Sequence, residues 1–266
     1  MMALPTGPSS SQPGGMYGWR GRVGYIPPGN LEGNIVELRM LFPEGVAIVA
    51  SVLGINKLER TEFDAHTARL ERSARELADL DVDVIAMSGG PVAYSGGPNG
   101  DRALAERLER ASGKPAFHDV SAVVEGLRRL GARRIAFASP FSDEVNADAA
   151  MFLEAAGFEI RSVIGLGVRT NAEIRKLPTQ LPYDAGRRAL LAAGKVDALF
   201  ISCAGWGTLP SVRPIEQEFG VPVVTQLQAL AWRALDILGI AARPALGGKL
   251  FDTRPVPIRA FATPGT

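Results

Sequence analysis

The chain has 266 residues, 46% of them apolar and 21% charged, and its 29 basic against 28 acidic side chains leave a net charge of +1. This composition excludes disorder throughout and fits one large or two small globular domains. A charge so balanced offers no field to hold nucleic acid or an anionic membrane, so neither is expected as a partner. No apolar run approaches the roughly 20 residues of a membrane span, and residues 1–15 have neither a basic nor an apolar signal region, so the cytoplasm is the expected location. The lone cysteine, Cys203, excludes an internal disulfide and any multi-cysteine zinc site. Two histidines far apart, His66 and His118, argue against a metal centre, and no metal is expected.

Residues 1–20, rich in glycine, proline and serine, read as a flexible tail, and 253–266 as a second tail. From Val23 onward short β-rich runs alternate with longer amphipathic stretches, the pattern of a parallel sheet with crossover helices. Strands are expected at 22–26, 46–52, 83–87, 115–118, 134–138, 158–164, 197–202 and 221–225. Helices are expected at 61–80, 101–112, 119–130, 145–156, 183–193 and 211–219, with Gly113, Gly131, Gly157 and Gly220 where C-caps belong.

The chain also repeats itself. Val82-Asp83-Val84-Ile85-Ala86-Met87-Ser88-Gly89 can be laid on Val196-Asp197-Ala198-Leu199-Phe200-Ile201-Ser202-Cys203, each an apolar strand ending in serine and a loop. A charged helix follows each loop, then Gly113-Lys114-Pro115 or Gly220-Val221-Pro222 and another strand. The expected fold is therefore α/β, two similar Rossmann-like halves with pseudo-two-fold symmetry. One half combines 21–119 with 228–252 and the other takes 120–227, the helix near 228–239 being assigned across to cover the first sheet. Ligands in open parallel sheets bind beyond the carboxyl ends of the strands, which would set Gly89 and Cys203 across one cleft.

Cys203 ends a strand and precedes Ala204-Gly205-Trp206-Gly207-Thr208, a small-residue loop whose N–H groups favour a thiolate or a bound carboxylate. A lone cysteine is otherwise simply a small buried hydrophobe. Gly89 and Gly90 let a ligand approach the main chain closely, or make a plain turn with Pro91. Pro27-Pro28-Gly29-Asn30 is a turn unless the Asn30 amide faces the cleft, and Asn171 is either a ligand contact or a helix cap. Trp206 is placed beside the thiol or in ordinary packing. His66, His118 and the arginine pairs around Gly131 read as surface or satisfied polar groups. Gly165-Leu166-Gly167 lacks the third glycine of a dinucleotide fingerprint, so no nicotinamide cofactor is expected.

Asp143-Glu144-Val145-Asn146, Ile201-Ser202-Cys203 with its glycine loop, Gly220-Val221-Pro222-Val223-Val224, and Ala242-Arg243-Pro244 to Gly248-Lys249-Leu250-Phe251-Asp252 together resemble the arylmalonate decarboxylases. These belong to the aspartate/glutamate racemase superfamily, with the maleate cis-trans isomerases as near relatives, and the resemblance spans about 22–252. Racemases of the superfamily carry a cysteine in each half, whereas the decarboxylases keep only the second and have glycine at the first. Gly89 and Cys203 match the decarboxylase pattern. The resemblance implies chemistry without metal or organic cofactor. Hydrogen-bond donors hold one carboxylate as it becomes an enediolate, the other leaves from an apolar pocket, and the cysteine protonates one face.

The chain departs from the pattern at Gly90 and Pro91, where the family has threonine and serine, and at Phe141, where it has tyrosine. Asn30 and Asn171 instead resemble asparagines with which maleate isomerases hold a carboxylate, although the isomerase's first cysteine is absent at Gly89. Backbone N–H groups around Gly90 and after Cys203 are expected to replace the lost hydroxyls. The implied substrate-binding set is thus Pro28, Asn30, Gly89, Gly90, Pro91, Phe141, Asn171, Ala204, Gly205 and Trp206 around Cys203. A cofactor-free decarboxylase of a disubstituted malonate or related small dicarboxylate is the expected activity, in a monomer or small homo-oligomer. An isomerase or racemase of a small dicarboxylate and a non-catalytic carboxylate-binding protein are the alternatives.

Overall fold

The computed structural model describes residues 17–29 and 32–253. The tails expected at the two ends therefore fall largely outside the described residues. The first sheet is built from β1 (Gly21–Ile26), β2 (Val46–Ala50), β3 (Val84–Met87) and β4 (Ala116–His118), linked by α1 (Glu32–Leu41), α2 (Arg60–Asp79), α3 (Gly90–Ser95) and α4 (Gly100–Ser112). After α5 (Asp119–Arg129) the second sheet repeats the plan with β5 (Arg134–Ala138), β6 (Glu159–Ile164), β7 (Ala198–Ile201) and β8 (Val223–Thr225). Its connections are α6 (Asp143–Ala155), α7 (Asn171–Ile174), α8 (Leu181–Ala193) and α9 (Leu209–Phe219), and α10 (Gln226–Ile237) and α11 (Gly248–Asp252) complete the chain.

All strand pairs are parallel, and the orders β2-β1-β3-β4 and β6-β5-β7-β8 are the same. The two sheets flanked by helices form the expected α/β fold. β3 and β7 are buried at every residue, which explains why both read as unbroken apolar runs. β6, at a sheet edge, alternates exposed and half-buried residues. α10 follows the second sheet yet packs on α5 and α1 and reaches β3 of the first. Val120, Val123 and Leu127 of α5 and Leu227, Leu230 and Ala234 of α10 belong to one apolar core that includes both sheets. Full burial of each such leucine contributes about 1.5–3 kcal/mol.

Two departures from the sequence expectations bear on function. β2 ends at Ala50 instead of continuing to 52, and the chain beyond it follows the end of β1, Ser51 N–H donating to Tyr25 O and Leu53 N–H to Pro27 O, before it meets the other half. There Leu58 N–H donates to Arg169 O at 3.0 Å and Asn171 N–H to Asn56 O at 2.8 Å. α1, not anticipated, turns the polar side chains Asn34 and Glu37 inward beside Leu38 and Leu41, so its apolar period is broken where it faces the site. Among the described residues no helix is long and apolar enough to cross a membrane.

Candidate active site

The carboxyl ends of the two sheets place their loops against each other. Ser88 N–H donates to Ile26 O at 3.1 Å and Ser202 N–H to Ala138 O at 2.8 Å, so each loop leaves its central strand in the same way. The next residue takes positive φ in both halves, 132° at Gly89 and 93° at Cys203. Glycine adopts such a conformation freely, whereas a residue with a Cβ is strained there by roughly 1–3 kcal/mol. Each of these peptides is held by the first residue of the helix after the last strand. Asp119 Oδ2 accepts the Gly89 N–H at 3.3 Å, and Gln226 Oε1 accepts the Cys203 N–H.

Between the loops lies a cavity of about 340 Å³, counting its open mouth. Of the residues expected at a site, Pro28, Gly89, Gly90 and Pro91 of the first half and Phe141, Asn171, Cys203, Ala204 and Gly205 of the second line it. Asn30 lies outside the described residues. Trp206 is absent from the wall: the 3₁₀ turn Ala204–Trp206 carries its ring into the apolar core, where it is 4% exposed. Asn171 is the first residue of α7 and not its cap, a role taken by Thr170, whose hydroxyl accepts the Glu173 N–H. The Asn171 amide lines the cavity and donates to Ile55 O at 2.9 Å.

Asn34, Leu58 and Gln226 complete the wall and were not anticipated. The repeat itself points to Gln226, because it follows β8 as Asp119 follows β4. Asn34 Nδ2 donates to the Tyr25 hydroxyl at 2.6 Å, which in turn pairs with Ser88 Oγ at 2.8 Å. None of the nearby serines replaces the absent tyrosine hydroxyl in the wall. Ser88 is held by Tyr25, Ser139 Oγ donates to Asn146 Oδ1 at 2.5 Å, and Ser142 Oγ donates to Glu144 Oε2 at 3.3 Å. The N–H groups of Gly90 and Ala204 meet no acceptor among the described residues. A Cβ on Gly90 would stand 2.9 Å from the Tyr94 ring, so only glycine fits there without displacing it.

Of the two roles the glycine loop could serve, stabilising a thiolate or binding a carboxylate, the first is opposed by burial. Burial pushes the Cys203 pKa up to about 12, the Gly205 N–H pulls against it, and the nearby Asp119 and Glu37 carboxyls raise it further. Desolvation outweighs the loop's donors, so Cys203 is a neutral S–H group at physiological pH. Burial likewise raises the Glu37 carboxyl to about 7, opposed by the Leu209 N–H, which donates to its Oε1 at 2.8 Å. Among the described residues no group of three or more histidine, cysteine, aspartate or glutamate side chains converges on a possible metal position.

The arylmalonate decarboxylase family model matches residues 23–251. Arylmalonate decarboxylase of Bordetella bronchiseptica is 31% identical over 213 residues, covering 80% of this chain and 88% of that one. Maleate isomerase of Nocardia farcinica is 33% identical over 192 residues, covering 70% and 76%. Among solved structures, a liganded glycine-to-cysteine, cysteine-to-serine double mutant of arylmalonate decarboxylase aligns with a TM-score of 0.81 at 30% identity, over 87% of this chain and 99% of that one. Its two exchanged positions are as far apart in sequence as Gly89 and Cys203. The Nocardia farcinica maleate isomerase with a covalently bound succinylcysteine intermediate aligns with a TM-score of 0.80 at 26% identity, over 86% and 97%. With its fold and its sequence in agreement over almost all the described residues, the chain belongs to the arylmalonate decarboxylase family, within the aspartate/glutamate racemase superfamily.

Proposed function

We propose that the protein is a cofactor-independent decarboxylase of a disubstituted malonate or related small dicarboxylate, with Cys203 as the proton donor. The observation that carries this reading is the neutral, buried Cys203 thiol in the cavity wall, with glycine at the equivalent position of the other half. One carboxylate lies against Pro28, Leu58, Pro91 and Phe141, where it has few groups to solvate it. Its C–C bond breaks, CO2 leaves, and the bonding electrons pass into the remaining carboxylate, which becomes an enediolate. The N–H groups of Gly90 and Ala204 are the main-chain donors available for this growing charge. The proton of Cys203 Sγ then moves to the α-carbon, and the thiolate left behind accepts the Gly205 N–H until solvent returns a proton.

Isomerisation of a small dicarboxylate is the second reading, favoured by the position of Asn171 in the wall and by the identity to maleate isomerase. It would have to proceed with Cys203 as the sole thiol. A screen of malonates, maleate and hydroxy- and amino-dicarboxylates, following CO2 release and product configuration together, tests the proposal. Release of CO2 from a disubstituted malonate with one product enantiomer is the expected result. Conversion of maleate without CO2 release, and no turnover of any malonate, would replace it with the second reading.

A further inference from the structure

Gln226 opens α10, and its side chain turns back onto the loop that carries the thiol. Its amide oxygen accepts the Cys203 N–H and the Ser202 hydroxyl, the latter at 3.3 Å. A peptide N–H can only donate, so this contact fixes the orientation of the amide: Oε1 holds the loop and Nε2 is directed elsewhere. Gln226 is 1% exposed and lines the cavity, and its Nε2 is buried without an acceptor among the described residues. A Cβ built on Gly90 would stand 3.0 Å from this nitrogen, which places its hydrogens at the Gly90 corner of the cavity. Buried amide donors are nearly always paired. What this one lacks is an acceptor in the cavity.

We infer that Gln226 Nε2 is a substrate-binding donor, holding an oxygen of the carboxylate that stays on the substrate and becomes the enediolate. The inference rests on the dicarboxylate reading above and supplies a side-chain donor where Gly90, Pro91 and Phe141 supply none. The other half shows why the assignment falls on this side. Asp119, at the equivalent position, anchors the Gly89 N–H through Oδ2, but its side chain carries no N–H group to offer an anion. One position thus holds a loop in the first half, and holds a loop and offers a donor in the second. The retained carboxylate is drawn to the Cys203 side, beside the thiol that protonates the adjacent carbon.

The two tasks of Gln226 can be separated. Gln226→Glu keeps an oxygen for the Cys203 N–H and replaces the donor with a second oxygen. Titration calorimetry of wild-type and Gln226→Glu protein with phenylmalonate, its monoamide and maleate reads the difference. The expected result is that Gln226→Glu weakens binding of phenylmalonate or maleate by about tenfold to a hundredfold, the range for a lost hydrogen bond to a charged group. The monoamide, whose NH2 can donate to the new carboxylate, should lose much less. Equal diacid affinity in the two proteins overturns the inference while leaving the dicarboxylate reading intact. A wild-type protein that binds neither diacid overturns that reading and the inference with it. Should Gln226→Glu not fold, the wild-type protein with 15N-labelled glutamine supplies the readout, its Gln226 NH2 pair being assigned through contacts to Gly90 and Tyr94. Phenylmalonate should move that pair downfield, and an unmoved pair under saturating ligand overturns the inference.

Discussion

The two halves share one backbone plan and differ where the plan meets the cavity. Gly89 faces Cys203, Asp119 stands where Gln226 stands, and Glu37 lies as far past β1 as the buried Ala149 lies past β5. Strand order, the serine before each positive-φ residue and the clamp on its N–H are common to both. The scaffold therefore supplies a symmetric cradle, and under the proposed decarboxylation a few side chains would decide which face carries the proton and which the surrounding charge. Asymmetry placed on a symmetric frame is what one-sided protonation needs, because a planar enediolate presents two equal faces until the protein makes them unequal.

Removing the asymmetry at its centre has the largest expected effect. Cys203→Ser keeps a small polar side chain but offers a far weaker acid, and turnover of any substrate found should fall by about 10²–10⁴-fold, the span of general acid–base catalysis. Rates within a few-fold of wild type would show that the proton comes from elsewhere. The change should leave the fold intact, which circular dichroism and the denaturation midpoint would check.

The next effect concerns the carboxyl that the second half lacks. Glu37 is 5% exposed, and burial raises its pKa in the folded protein from the ordinary carboxylate value to about 7. In the unfolded chain it ionises first, so its favourable contribution is fully present below the unfolded pKa and is lost as pH rises through the folded one. By linkage the loss amounts to roughly 3 kcal/mol. Glu37→Gln retains an acceptor for the Leu209 N–H and carries no charge, so its gain over wild type in urea unfolding should be small at about pH 5 and approach that figure at about pH 8. A difference independent of pH would mean that Glu37 ionises freely in the folded protein.

A smaller effect separates the two clamps. Asp119→Asn keeps an oxygen for the Gly89 N–H and removes a negative charge that raises the Cys203 pKa. The pH profile of Cys203 alkylation by iodoacetamide should move to lower pH, by less than burial moves it to higher pH. An unmoved profile would show that the charge of Asp119 does not reach the thiol.

Much of the architecture was legible because it rests on local pattern. β3 and β7 announce themselves as apolar runs closed by serine, and their likeness relates the two loops at the level of sequence. Long-range polar contacts left a fainter trace, since the repeat pairs Gln226 with Asp119 by position but does not show what either side chain reaches. Gln226 reads as an ordinary helix start, and its importance comes from reaching back to Cys203 across 23 residues, as Asp119 reaches Gly89 across 30. α1 was missed because Asn34 and Glu37 interrupt its apolar face where it meets the cavity. Trp206 was misplaced because a one-turn 3₁₀ segment decides which way the ring points, and sequence spacing carries no sign of that turn. The burial that keeps the Cys203 thiol protonated has no sequence signature either, whereas the loop's N–H groups that pull the other way are visible in the sequence.

The most direct test is the configuration of the product formed from a prochiral disubstituted malonate by wild-type protein and by the double variant Gly89→Cys, Cys203→Ser. Position 89 already has the positive φ that Cys203 tolerates, and an added Cβ would meet Pro28 Cγ at 3.3 Å, a contact that a slight shift relieves. The donor would then stand on the opposite face, though in a loop not arranged to support it, so the reaction should be slow. The account predicts a single enantiomer from the wild type and the opposite one from the double variant. The same enantiomer from both, with measurable turnover, would contradict it.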